Sequence, residues 1–138
     1  MKFKDFLSTI GLGSMKIETV IERPHLNEGE TLNGTIYVEG DSVDHEIDYI
    51  ELRVIKMVED YREDSDFDYI EDTIAKTSIE LIGSVKSKES RMFNFEIVPD
   101  ERWQVTTPKT KLVLRTILHV KNGRNAKDED EITYGTYE

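Results

Sequence analysis

The chain has 138 residues, the size of one domain that can bury a contiguous core without covalent staples. Its 29 acidic against 18 basic residues give a net charge of −11, which repels nucleic-acid phosphates and anionic lipid surfaces and argues against either as the main partner. With zero cysteines there is no disulfide framework and no thiolate metal site, and no apolar run approaches the length that crosses a bilayer, so the cytoplasm is the expected location.

Residues 1–13 are predicted to form a short amphipathic helix, because Phe3, Phe6, Leu7 and Ile10 fall on one helical stripe and Gly11 and Gly13 follow. That stripe suits either a peripheral membrane anchor or partner-docking helix, or a helix lying on its own domain; its brevity and Asp5 among the lysines favour the second. From Met15 the period becomes two. Met15, Ile17, Thr19 and Ile21 are expected on a core face, with Lys16, Glu18 and Val20 toward solvent. Pro24 ends this strand, Gly29 supplies a turn, and residues 31–39 form the next strand with Leu32, Gly34, Ile36 and Val38 inward.

In the stretch from Gly40 to Val58 a turn carrying acidic residues runs into a long strand-like segment, whose alternation is read from Ile50 onward. Leu52, Val54, Lys56 and Val58 take one side, while Glu51, Arg53, Ile55 and Met57 take the other. Between Glu59 and Asp72 lie eight carboxylates against the single Arg62, which predicts a solvated hairpin end between Val58 and Ile74. Asp64, Asp66 and Asp68 mimic the start of a calcium loop, but Tyr69 stands where that loop needs glycine and Ala75 where it needs glutamate, so no metal site is expected. Residues 74–82 read as a weaker strand and residues 83–89 as a turn. Phe93, Phe95 and Ile97 then define a clean core-facing alternation. The segment from Pro99 to Pro108 is a loop whose Trp103 is expected to fold back over the core.

The last strong strand carries Leu112, Leu114, Thr116, Leu118 and Val120 inward. Val113 and Ile117 lie on its outer side, which marks that side as a docking or self-association surface. Residues 123–138 read as a charged linker over Lys127 to Glu131, with Ile132 and Tyr134 suited to a short edge strand. Strands at hairpin spacing with no interior helix predict a single all-β domain, an antiparallel immunoglobulin-like β-sandwich over residues 14–122 preceded by the helix.

No catalytic constellation emerges. His25, His45 and His119 are scattered, no serine occupies a G-x-S-x-G elbow, and Gly11-Leu12-Gly13 follows a helix and precedes a strand, the reverse of a phosphate-binding loop. No catalytic, cofactor-binding or metal-binding residue is therefore assigned.

Several short patterns in fixed order resemble the N-terminal lobe of bacterial sporulation-control proteins, which have the arrestin-like fold. They are the helix with Gly11 and Gly13, the Glu28-Gly29-Glu30 turn, Gly34 in the following strand, and the run Gly40, Val43, Glu46, Ile47, Asp48, Ile50. FNFEIVP and KTKLVLRTIL resemble the lobe's last strands. The chain departs from that pattern at Leu118, His119 and Val120, where the family has leucine-aspartate-isoleucine, and at Asn125, Ala126 and Lys127, where it has an aspartate-proline turn. Members of that family continue into a second lobe of the same fold. The resemblance implies a non-enzymatic regulator or adaptor that binds other proteins and needs no cofactor. The alternative is a peripheral membrane module docking through Phe3, Phe6, Leu7 and Ile10.

Overall fold

The computed structural model of the chain describes residues 15–61, 67–80 and 82–135. Over them the chain is all-β, with nine strands: β1 (Lys16–Ile21), β2 (His25–Leu26), β3 (Leu32–Glu39), β4 (His45–Tyr61), β5 (Phe67–Ile79), β6 (Gly83–Val85), β7 (Ser90–Ile97), β8 (Thr110–Val120) and β9 (Ala126–Tyr134). The expected helix at residues 1–13 lies outside the described residues.

Two sheets result. The small one has the order β1-β3-β7 and the large one β2-β9-β8-β4-β5, with β6 paired to the start of β4. Every pairing is antiparallel except the brief parallel β2–β9 contact. The alternations read from the sequence place the core between the sheets. Ile17, Leu32, Ile36, Val38, Phe95 and Ile97 on the small sheet meet Ile50, Leu52, Val54, Leu112, Leu114 and Leu118 on the large one. The sheets are also joined by polar contacts at one corner. Thr19 Oγ1 lies 2.8 Å from Thr116 Oγ1, and the Thr19 amide donates to Asp128 at 2.8 Å.

Two irregularities aim side chains that simple alternation misassigns. The β4–β8 register steps over Asp48, which turns Ile47 into the core beside Ile50. The β4–β5 register slips between Val54 and Ile55, which leaves Ile74 as the extra residue of β5 and buries it. On the small sheet Phe95 lies directly across from Gly34, and its ring occupies the space a side chain at position 34 would need.

The loop after β7 closes one end of the sandwich, as its tryptophan foretold. Trp103 is 6% exposed and meets the Tyr134 ring edge-on at 5.3 Å. The Thr106 amide donates to the Tyr134 carbonyl, while the Thr106 hydroxyl accepts from the Tyr134 amide, both at 2.9 Å. The Tyr134 hydroxyl in turn accepts the amide of Gly29, whose φ of +84° makes the sharp turn before β3.

Three expectations need correction. Residues 127–131 are not a linker but part of β9, a nine-residue strand that pairs with β8 from Ala126 to Ile132 and with β2 at Thr133 and Tyr134. Its Asp128 and Asp130 pair with Thr116 and Leu114 at the rim between the sheets, where carboxylates serve polar contacts such as the Thr19 amide rather than apolar packing. The β4–β5 hairpin continues to Tyr61 and Phe67, beyond the solvated end expected between Val58 and Ile74. Glu18, placed toward solvent by its alternation, is only 2% exposed.

Candidate interaction surface

The outer face of the large sheet carries a set of charged contacts around β4, which lies between β8 and β5. Glu51 is the centre. Its position on β4 faces away from the inter-sheet core, yet it is 2% exposed. Oε1 accepts from His119 Nε2 of β8 at 2.8 Å, Oε2 accepts from Arg53 Nε, and Lys76 Nζ of β5 stands 3.6 Å away. Burial pushes the Glu51 carboxyl up. The hydrogen bonds from Arg53 and His119 and the charges of Arg53 and Lys76 outweigh that effect and hold it below the ordinary value. Tyr49 stacks on the His119 ring with centroids 4.3 Å apart.

Further along, two cationic side chains from β8 cross over β4 to β5. Arg115 bonds Glu129 of β9 through Nε and reaches Glu71 of β5 through Nη2 at 3.2 Å. Lys111 places its ammonium 4.8 Å from the centre of the Tyr69 ring. Because β4 lies between β8 and β5, these side chains span it on the face that carries the cross-strand pair Ile55 and Val113. Ile55 is 1% exposed and Val113 6%.

Val113 is thus buried and is not an exposed docking residue. Ile117 is half-buried between its register partners Glu51 and Lys127 and remains at the surface. Phe3, Phe6, Leu7 and Ile10 lie outside the described residues. The sequence reading missed the cluster around Glu51 because its members come from three strands, and only strand order brings positions 49, 51, 53, 76 and 119 together.

Chemically this surface is saturated rather than poised. Both Glu51 oxygens are engaged, and among the described residues no group of three histidines or carboxylates could hold a metal ion. His25 lies apart, hydrogen-bonded to the Thr133 hydroxyl at 2.9 Å. On the small sheet a shallow depression of about 470 Å³ runs past Glu22, Asn33, Asn94 and Glu96 and offers carboxylates and amides. No helix among the described residues is long and apolar enough to cross a membrane.

A family model described as SpoOM protein matches residues 3–136. The chain belongs to this family. A curated relative, sporulation-control protein Spo0M of Bacillus subtilis (strain 168), is 26% identical over 136 residues, which cover 94% of this chain and 50% of the relative. The crystal structure of Spo0M from Bacillus subtilis superposes with a TM-score of 0.79 at 23% identity, over 91% of this chain and 51% of that one. The chain spans about half the length of the Spo0M proteins it matches. The structural likeness establishes the shared β architecture.

Proposed function

We propose that this Spo0M-family chain is a non-enzymatic intracellular regulator, built on an arrestin-like sandwich, that acts in sporulation control by binding another protein. The observation that carries the reading is the family match across nearly the whole chain, with a relative named for sporulation control. The outer face of the large sheet supports a binding role. Its ionic side chains are fixed by mutual contacts, so Tyr49, Arg53, Ile117 and His119 form a preorganised patch that pays little ordering entropy when a partner arrives.

The test is deletion in the native cell followed by complementation. The intact gene is expected to restore spore counts, and Ile117→Asp, which places a charge on the patch without touching the inter-sheet core, is expected to fail while the protein accumulates normally. Cross-linking and co-purification should recover a protein partner with the intact chain and not with the variant. Unchanged sporulation on deletion would remove the sporulation role. Full complementation by Ile117→Asp would remove this face as the binding site.

A further inference from the structure

The turn between β8 and β9, residues 121–125, is anchored by Asn125. Its Oδ1 accepts the Val120 amide N–H at 3.0 Å, and this bond fixes the way the carboxamide points. The atom left facing His119 Nδ1, at 3.4 Å, is therefore Nδ2. A carboxamide nitrogen only donates, so Nδ1 must accept and the single ring proton sits on Nε2. That proton is directed at Glu51 Oε1, 2.8 Å away.

The other groups around the ring come from every neighbouring strand. Tyr49 of β4 stacks on it, and Arg53 of β4 and Lys76 of β5 stand behind Glu51. In the turn itself Lys121 lies 3.8 Å from Glu46, and β9 contributes Lys127, the register partner of Ile117. A second histidine borders the same turn. His45 holds Nε2 3.0 and 3.1 Å from the two oxygens of Asp41, and a Cβ at Gly123 would lie 3.8 Å from His45 Nδ1.

We propose that the β8–β9 turn is an acid-responsive latch, closed by neutral His119 and released when a solvent proton binds Nδ1. Protonation sets an N–H against the Asn125 NH₂, two donors with no acceptor between them. The carboxamide must then rotate, which withdraws Oδ1 from the Val120 amide, or the turn must move away. The ring stays where it is, because Nε2 donates to Glu51 in both states. The turn is the part that yields. β9 starts at the residue after Asn125, and its Asp128 binds the Thr19 amide of the small sheet, so loosening here reaches a contact between the sheets.

Long-range ¹H–¹⁵N correlation spectra of the full chain read the tautomer directly. Wherever those spectra show the His119 ring neutral, its single proton is expected on Nε2. Exchange of the Val120 amide, corrected for its intrinsic pH dependence, is expected to accelerate at least about tenfold as pH falls through the His119 midpoint seen in the same spectra. In Asn125→Ala that step should vanish, with Val120 exchanging fast on both sides of the midpoint. A neutral ring protonated on Nδ1, or Val120 protection that is unchanged across the midpoint, overturns the proposal. Both of those results come from the unmutated chain and do not depend on the variant folding.

Discussion

The two sheets bury their outer faces to different degrees. Along β4 the large sheet is dry on both sides, with Leu52 and Val54 packed inward and Glu51 and Ile55 covered outward. The small sheet grows wetter toward its β7 edge, where Met92, Asn94 and Glu96 are exposed. The inner faces owe their burial to apolar area, whereas the outer face of β4 owes it to charged side chains laid across it. Charge in a strand therefore marks solvent along β7 and a buried face along the middle of β4.

The sharpest way to break this contrast is at the inner face, where burial is mainly apolar. Leu114 is fully buried opposite Val54. Leu114→Ala is expected to cost about 2–5 kcal/mol in urea unfolding with little change in slope, the sum of lost transfer energy and residual cavity. A loss under about 1 kcal/mol would mean that the sheets collapse onto the gap, and that the core is looser than its zero exposure implies.

Gly34 tests the small sheet in the opposite sense, by adding atoms. A Cβ there would stand 2.6 Å from both the Phe95 ring and the Val20 carbonyl oxygen. The ring can swing, but the backbone oxygen belongs to the paired strand β1 and cannot retreat alone. Gly34→Ala is expected to destabilise by about 1–3 kcal/mol through overpacking, read as a lowered melting temperature. Unchanged melting would show that β1 slides freely over β3.

The outer cover of the large sheet is probed by Glu51→Gln, which keeps the shape and removes the charge. Arg53, His119 and Lys76 would then face a neutral amide. Because Arg53 and Lys76 are partly solvated, the expected loss at pH 7 is about 1–2 kcal/mol, below that for a fully buried pair. The pH dependence fixes the assignment. The Glu51 carboxyl is held below its ordinary value, so its contribution is complete above the unfolded value of about 4.3 and disappears as pH falls through the folded one. The wild-type and Glu51→Gln stability curves should separate at neutral pH and converge in acid. Parallel curves across that window would assign the carboxylate no net role.

Most of the inner architecture was legible in the sequence because it rests on period two. The alternations through Ile17, Ile36, Phe95 and Leu114 each point a row of apolar residues at one core, and a row survives small errors in where a strand ends. The two register shifts were not legible, since Asp48 and Ile74 look ordinary until a partner strand skips them. β9 was misread for a related reason. Alternating Lys127, Asp128, Glu129 and Asp130 carries no apolar row, and its strand character comes from pairing with β8 and from polar contacts at the rim. The patch around Glu51 is a product of strand order. Nothing local to Glu51, Lys76 or His119 says that β5 and β8 flank β4.

The smallest expected effect sets the lower end of the comparison. On the outer face of the small sheet Lys16 and Glu39 are register partners, with Nζ 3.5 Å from Oε1 and both side chains substantially solvated. The chemistry matches one arm of the Glu51 cluster, a lysine beside a glutamate across a strand pair. The surroundings differ, since water screens this pair and competes for both ends. Glu39→Gln should therefore change stability by no more than about 0.5 kcal/mol, and that difference should shrink as salt is raised to about 1 M. Were Glu39→Gln to cost as much as Glu51→Gln, burial could not be what separates the two sheets, and the cover over β4 would be surface charge like any other.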